Sequence, residues 1–210
     1  MDPTLFTSLF LLFAFTTTNL PLSFSSNNAQ VVQYKDGGNV SLKGPNYILP
    51  AKIGLKGGGI TLGRKTKNST CPVAIIQENC AVVNGYPIKF SGQDNSESSM
   101  FIDTPLNIEF VDIPVDCAFP QEWVVIDDLP HQWLSISAYD YPSEKIIKGT
   151  FSIQRYQRGY KLVFCPKPTT STNPSSSACK NIGIHKDKNG VRSLILTDKD
   201  PFEFVLMYGD

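Results

Sequence analysis

Beyond residue 30 the chain is a succession of short apolar runs separated by Gly, Pro, Asn and Asp. Apolar and polar positions alternate in many of these runs, and a helical period is almost absent. Alternation places one side of a strand against a core and the other toward water. The pattern predicts an all-β domain with strands over residues 31–34, 46–50, 59–62, 73–77, 87–90, 106–111, 122–126, 133–137, 150–156, 160–164, 182–185, 191–197 and 202–207.

Turn residues between the runs add to this prediction. Asn189-Gly190 separates two of the strands and is a strong signal for a type I′ hairpin, because both central residues of that turn need positive φ. The regular strand spacing is typical of a closed or sandwiched all-β domain. Recurring runs that begin at Gly or Pro (YPIKF, PLNIEFV, GYKLVF, PFEFVL) also suggest internal repetition.

The first residues differ from the rest of the chain. Nine of the eleven positions in 5–15 are apolar, and no Lys or Arg precedes Lys35. The run is shorter than the roughly 20 apolar residues that a membrane-spanning helix needs. Ser23 and Ser25 have the spacing that a signal peptidase accepts. We expect residues 1–25 to be a cleaved secretory signal and residues 26–210 to be one domain without a membrane segment.

Composition narrows the classes of function. The chain is 41% hydrophobic, and its 19 basic residues balance 19 acidic ones. A chain without net charge has no field that would attract nucleic acid, so nucleic acid is not an expected partner. His131 and His185 are the only histidines, and no GxSxG, HExxH or EF-hand motif is present. We therefore expect no enzyme activity, no metal site and no cofactor.

Five cysteines are present, and none has the CxxC spacing of zinc or redox sites. In a secreted protein, structural disulfides are the favoured interpretation. Two bridges and one leftover thiol can be drawn in fifteen ways, and spacing does not choose among them. Sequons at Asn39 and Asn68 fit the same secretory route. We expect Asn68, in a charged turn, to be glycosylated more fully than Asn39, which we place close to the barrel wall.

A series of segments from Val31 to Tyr208 carries a family signature: YKDGGNVSLKGPNYILPAKIGLKGGGITL, NSTCPVAIIQ, NGYPIKF, PLNIEFV, CAFPQEWVVIDD, GTFSIQRYQRGYKLVFCP and DPFEFVLMY. In this order they resemble the plant Kunitz protease inhibitor family, of the soybean trypsin inhibitor type. The resemblance covers nearly all of residues 26–210. It implies a β-trefoil of twelve strands in three pseudo-repeats, in agreement with the strand pattern.

The resemblance also implies which cysteines pair. It joins Cys71 to Cys117 and Cys165 to Cys179. Cys80 falls outside the four-cysteine pattern of the family, so we expect it to be an unpaired thiol. We expect a monomer, with Cys80 as the candidate for a disulfide-linked partner.

Members of the family offer a rigid, exposed loop to a protease in substrate-like form. A loop already held in its bound geometry avoids the ordering cost of binding. Here the corresponding loop lies between Phe90 and Pro105, with the sequence SGQDNSESSMFIDT. We expect the protease to contact the segment Ser96, Glu97, Ser98, Ser99 and Met100. Ser98 is the first choice for the residue that enters the primary pocket of the protease, and Ser96 is the second.

Two departures from the family pattern affect the expected target. No Lys or Arg occurs between Phe90 and Glu144, whereas trypsin inhibitors of the family carry one at the pocket position. Relatives also brace the loop with an Asn side chain, and Leu42 stands at that position. Asn46 and Asn39 are the nearby substitutes considered. Without a basic residue in the loop, trypsin is not the expected target, and elastase-like or subtilisin-like enzymes are favoured. If the register is shifted, Met100 would serve a deeper apolar pocket.

The first hypothesis is a secreted inhibitor of endopeptidases, with the serine class favoured, in plant defence. Its partner is a protease of the plant itself, of a pathogen or of a herbivore. The alternatives are a non-inhibitory β-trefoil binding or storage protein and an inhibitor of cysteine proteases. We expect the mature chain in the extracellular space (the apoplast), with the vacuole as the other location.

Overall fold

The computed structural model describes residues 30–52, 57–64, 71–92, 98–113, 121–128, 130–136, 145–168 and 178–209. The expected signal segment 1–25, Asn68, Ser96, Glu97 and Cys117 lie outside the described residues. Among the described residues, no helical segment has the length and apolar character that crossing a bilayer requires.

The regular elements of the described residues are strands. In chain order they are β1 (Asn46–Pro50), β2 (Ile60–Gly63), β3 (Ala74–Gln77), β4 (Ile88–Gly92), β5 (Leu106–Phe110), β6 (Trp123–Asp128), β7 (His131–Ile136), β8 (Ile146–Ile147), β9 (Gly149–Tyr156), β10 (Gly159–Pro166), β11 (Lys180–Lys186), β12 (Arg192–Thr197) and β13 (Phe204–Tyr208).

Six of these strands close into an antiparallel barrel. The order around it is β13, β1, β4, β5, β9 and β10, and the pairing of Tyr160 on β10 with Phe204 on β13 closes the ring. Closure removes the exposed edges that an open sheet would present.

Three hairpins cover one end of this barrel. They are β2–β3, β6–β7 and β11–β12, and each contacts both of the others through the pairs Ala74–Ser135, Ser193–Ile76 and Ile195–Trp133. The chain therefore repeats the order barrel strand, hairpin, barrel strand three times. This confirms the β-trefoil. Twelve strands form the three repeats, and the two-residue β8, which pairs with β6, is additional.

Alternating burial explains why these segments form strands. In β5 (LNIEF), Leu106, Ile108 and Phe110 are buried, and Asn107 is exposed. Aromatic rings then link the barrel strands to one another and to the hairpins through the core. Phe110 lies 5.4 Å from Trp123, and Phe151 lies 5.1 Å from Phe164, measured between ring centroids. Burial of such rings supplies much of the stability of a small β domain.

Two local predictions differ from the structure. Residues 31–34 make isolated β-bridges at Val31 and Gln33 and no continuous strand. The β11–β12 hairpin forms, but its turn is not type I′, because Gly190 has a positive φ of 87° and Asn189 does not. The Asp187 carboxylate accepts hydrogen bonds from the N–H groups of Asn189 and Val191, which favours a type I turn over 188–189 followed by Gly190 in the left-handed region.

Candidate functional site

The loop between β4 and β5 joins the first repeat to the second. Residues 93–97 lie outside the described residues, and the described part begins at Ser98, whose side chain is exposed. From Ser98 to Phe101 the chain runs beside a hairpin formed by residues 30–42, through the bridges Ser41–Ser99 and Val31–Phe101. We call this part of the loop, residues 98–104, the loop stem.

A closed triangle of backbone hydrogen bonds joins the stem to both arms of the hairpin. The N–H of Met100 donates to the carbonyl of Val40 at 3.0 Å. The N–H of Val40 donates to the carbonyl of Val32, and the N–H of Val32 to the carbonyl of Met100, both at 2.8 Å. The side chains of Val32, Val40 and Met100 are all buried. The triangle therefore fixes the stem by hydrogen bonds and packing together.

Next to the triangle, the N–H of Leu42 donates to the carbonyl oxygen of Ser98 at 3.1 Å. This bond and the Met100–Val40 bond flank the Ser41–Ser99 pair on either side. The hairpin thus reaches the stem at Ser98 through its backbone, although the apolar Leu42 side chain has no donor to add.

The far end of the stem is held by β9. Asp103 has a φ of 63°, its N–H donates to the carbonyl of Ile153 at 2.9 Å, and its carboxylate accepts from the Gln154 amide at 2.7 Å. The Thr104 hydroxyl donates to the carbonyl of Phe101 at 2.8 Å and closes the turn. These contacts set where the chain enters β5.

The side chain of Asn46 stabilises the hairpin by hydrogen bonds. It is fully buried, and its amide donates to the carbonyls of Gly44 at 2.8 Å and Ser41 at 3.4 Å. Its Oδ1 accepts a hydrogen bond from the Tyr34 hydroxyl at 2.8 Å. Partial burial raises the pKa of the Tyr34 phenol above its ordinary value. Asn46 therefore supports Ser41, the residue opposite Ser99, through side-chain hydrogen bonds with Tyr34, Ser41 and Gly44 and not through the stem.

This geometry corrects one expectation about the loop and bears on a second. Met100 is 1% exposed and packs in the hydrophobic core, so its side chain cannot enter a protease pocket. The carbonyl of Ser98 already accepts from Leu42, whereas the carbonyl of a scissile bond must reach the oxyanion hole of the protease. The internal bond argues against Ser98 as the pocket residue and favours the alternative register at Ser96.

The cysteines occupy three environments. Cys165 and Cys179 form a disulfide bond, as the resemblance implies. Cys71 is also disulfide-bonded, and Cys117, its expected partner, lies outside the described residues. Cys80 is a free, exposed cysteine.

The described sequon lies on the surface. Asn39 is exposed and pairs with Gln33 across the hairpin, so it does not lie against the barrel wall as expected. Asn68, the other sequon, lies outside the described residues.

The two histidines lie together on the hairpin end of the molecule. The ring centroids of His131 and His185 are 4.3 Å apart, and Trp133 meets both rings edge-on. The pKa of His131 is lowered by partial burial and, to a smaller extent, by the neighbouring His185. The two histidines belong to different repeats, so no sequence spacing indicates that they meet.

Comparison with known proteins agrees with the fold. The model of the family Kunitz_legume, described as "Trypsin and protease inhibitor", matches residues 18–207. The chain is 35% identical to subtilisin inhibitor CLSI-II of Canavalia lineata, with 86% of this chain and 93% of that protein covered. It is 36% identical to Kunitz-type trypsin inhibitor-like 2 protein of Pisum sativum, with 94% and 89% covered.

Among solved structures, a complex of porcine pancreatic trypsin with soybean trypsin inhibitor contains a similar chain. The TM-score is 0.74 at 26% identity, with 86% of this chain and 100% of that chain covered. The family match and these likenesses show that the chain belongs to the Kunitz family of plant protease inhibitors, whose members bind serine proteases and are not enzymes.

Proposed function

We propose that this chain is a secreted inhibitor of serine endopeptidases that presents the β4–β5 loop, between Phe90 and Pro105, to its target. The observation that carries the proposal is the fixed loop stem beside an exposed Ser98. Because the hydrogen-bond triangle and β9 hold the stem before any protease binds, little conformational entropy remains to be lost on binding. A fixed stem also keeps the C-terminal side of the loop in place after cleavage.

The chemistry of the loop points away from trypsin. A trypsin-like pocket has a buried carboxylate that pairs with a basic side chain, and the loop offers neither Lys nor Arg. Leaving such a charge unpaired costs about 3–5 kcal/mol. Small or apolar pockets carry no such penalty, so a subtilisin-like or elastase-like enzyme is the proposed target. The similarity to a subtilisin inhibitor supports this choice.

We further propose that the chain itself has no enzyme activity and acts as a monomer after removal of residues 1–25. The ring partners described for its two histidines are one another and Trp133 and not a nucleophile. The exposed thiol of Cys80 is the proposed point of attachment for any covalent partner. The apoplast is the proposed location, and the vacuole is the alternative.

A second candidate function is a non-inhibitory binding or storage protein. Leu42 favours it, because its side chain gives the loop no hydrogen bond where relatives use Asn. A loop held less firmly on one side would be cleaved by a protease more readily than it inhibits.

Inhibition constants measured for trypsin, chymotrypsin, elastase, subtilisin and papain test these proposals. The native protein should inhibit subtilisin or elastase and leave trypsin active. Ser96→Arg should increase trypsin inhibition by at least about a hundredfold, because it supplies the missing ion pair. Ser98→Arg tests the other register. Val82→Arg is the matched control, because Val82 is 87% exposed on a different loop.

Each outcome has a distinct meaning. Strong trypsin inhibition by the native protein contradicts the specificity argument. A gain with Ser98→Arg alone restores the first register. Rapid cleavage of both loop variants without inhibition of any enzyme supports the non-inhibitory candidate. Inhibition of papain alone identifies a cysteine protease inhibitor.

A further inference from the structure

The two histidines of the chain form a close, tilted pair of rings that are partly exposed. His131 begins β7, in the second repeat, and His185 lies near the end of β11, in the third. Their ring centroids are 4.3 Å apart with an interplanar angle of 42°, and both side chains are partly exposed. Two partly exposed imidazoles at this separation are close enough to share one ion if each turns a ring nitrogen toward it.

The spacing fits two ligands of one metal ion. An imidazole nitrogen lies about 2.0 Å from a bound transition metal, which puts each ring centroid about 3.2 Å from the ion. Two such ligands at adjacent positions of a square-planar centre have centroids about 4.5 Å apart. Tetrahedral ligands would be about 5.2 Å apart by the same arithmetic. The observed 4.3 Å agrees with the square-planar arrangement.

The indole ring of Trp133 packs against both histidine rings and is held in place. Its ring centroid lies 5.3 Å from that of His131 and 5.7 Å from that of His185, and both contacts are edge-on. The indole Nε1–H donates to the carbonyl of Asp128 at 3.1 Å, which holds the ring in place. The Asp128 carboxylate lies 3.7 Å from the Lys145 ammonium. An ion bound by both rings would therefore lie no farther than roughly 9 Å from the centroid of this fixed fluorophore.

We propose that His131 and His185 are a surface binding site for Cu²⁺, each giving one imidazole nitrogen and water completing the coordination. Cu²⁺ favours adjacent nitrogen ligands in a tetragonal plane and stands highest among the divalent first-row metals in affinity for such ligands. Among the described residues no group of three or more His, Cys, Asp or Glu side chains could hold a metal ion. The site is therefore a two-ligand, exchangeable one, and the sequence, which offers no metal motif, does not indicate it.

Titration of the untagged protein from residue 26 onward with CuCl₂, followed by tryptophan fluorescence, tests the site. We expect saturable quenching with one equivalent of Cu²⁺, because the ion binds next to Trp133. His131→Gln and His185→Gln should each weaken binding by about a hundredfold, since each leaves one ligand where two acted together. Gln132→Ala, between His131 and Trp133, is the matched control and should bind as the native protein does.

Electron paramagnetic resonance of the native complex gives an independent readout, because coupling to ligand nitrogens counts the imidazoles. Two coupled nitrogens support the site, and Trp133→Phe should keep them while losing most of the quenching. Coupling to one nitrogen or none overturns the proposal. Unchanged copper affinity in the His131→Gln/His185→Gln double variant overturns it as well. Circular dichroism in EDTA checks that each variant is folded.

Discussion

The backbone N–H of Leu42 lies 3.1 Å from the carbonyl oxygen of Ser98 and donates a hydrogen bond to it. This bond ties Ser98, the first described residue of the loop stem, to the hairpin of residues 30–42. Both neighbours of Ser99, Ser98 and Met100, are hydrogen-bonded to the hairpin through their backbones. The cleavable bond is therefore expected on the N-terminal side of Ser98.

Replacing Leu42 with Asn should strengthen the loop. A side-chain amide at this position adds donors next to the Ser98 carbonyl, and one net hydrogen bond is worth about 1 kcal/mol, or roughly a fivefold change in an equilibrium. We expect Leu42→Asn to lower the inhibition constant for subtilisin and to slow cleavage of the loop by similar factors. Leu42→Ala, which removes the same packing without adding a donor, is the control. Equal behaviour of both variants would contradict a bracing role.

Met100 should matter for stability and not for specificity. Met100→Ala leaves a cavity in the core beside Val32 and Val40, and we expect it to lower the free energy of unfolding by about 2–5 kcal/mol. Met100→Leu, which nearly conserves the volume, should cost less than about 1.5 kcal/mol. Urea denaturation measures both. A change in the preferred protease with Met100→Leu would show that the side chain reaches the target after all.

Tyr34 should make the protein less stable in alkali. Its pKa is raised in the folded state, first by burial, so the folded protein holds this proton more tightly than the unfolded chain does. The stabilisation is complete below pH 10, near the pKa of an unfolded tyrosine, and is lost as the pH rises through the folded value. Urea midpoints measured from pH 8 to 11 should fall less steeply in Tyr34→Phe than in the native protein. Tyr208→Phe, at the half-exposed neighbouring ring, is the control, and identical slopes in native protein and Tyr34→Phe would refute the argument.

The disulfide framework should be visible by peptide mapping without reduction. We expect the bridges Cys71–Cys117 and Cys165–Cys179, with Cys80 modified by a thiol reagent. Removing the second bridge by Cys165→Ser/Cys179→Ser should lower stability by roughly 3 kcal/mol, because its cysteines are 14 residues apart in sequence. Cys80→Ser should leave stability unchanged and abolish any covalent dimer. A Cys71–Cys80 peptide would overturn the framework.

Much of the fold could be predicted from sequence because the barrel strands alternate. Segments such as LNIEF bury every second side chain, and their bounds agree with prediction within a few residues. The prediction failed where pairing is not continuous. Residues 31–34 have a strand-like composition, but the hairpin of residues 30–42 also pairs with the loop stem, which breaks the run into bridges.

The site was less predictable, because its geometry depends on contacts between distant segments. Resemblance to the family segments indicates a loop between Phe90 and Pro105 and leaves the register open between Ser96 and Ser98. The structure bears on that choice through Leu42, which is remote from the loop in sequence. The same applies to Met100, which looks like an exposed residue in a polar stretch until the buried side chains of Val32 and Val40 are placed around it.

By itself the sequence determined the all-β class, the order of the strands and the absence of a basic residue in the loop, because these depend on local alternation and composition. Tertiary structure decided which carbonyls are free, which side chains are buried and which residues of different repeats meet. The His131–His185 pair depends on the packing of two hairpins around a common centre, and the Ser98–Leu42 bond on the register of the first hairpin against the stem. Neither has a local signature, since both are set by where the closed barrel brings distant backbone segments together.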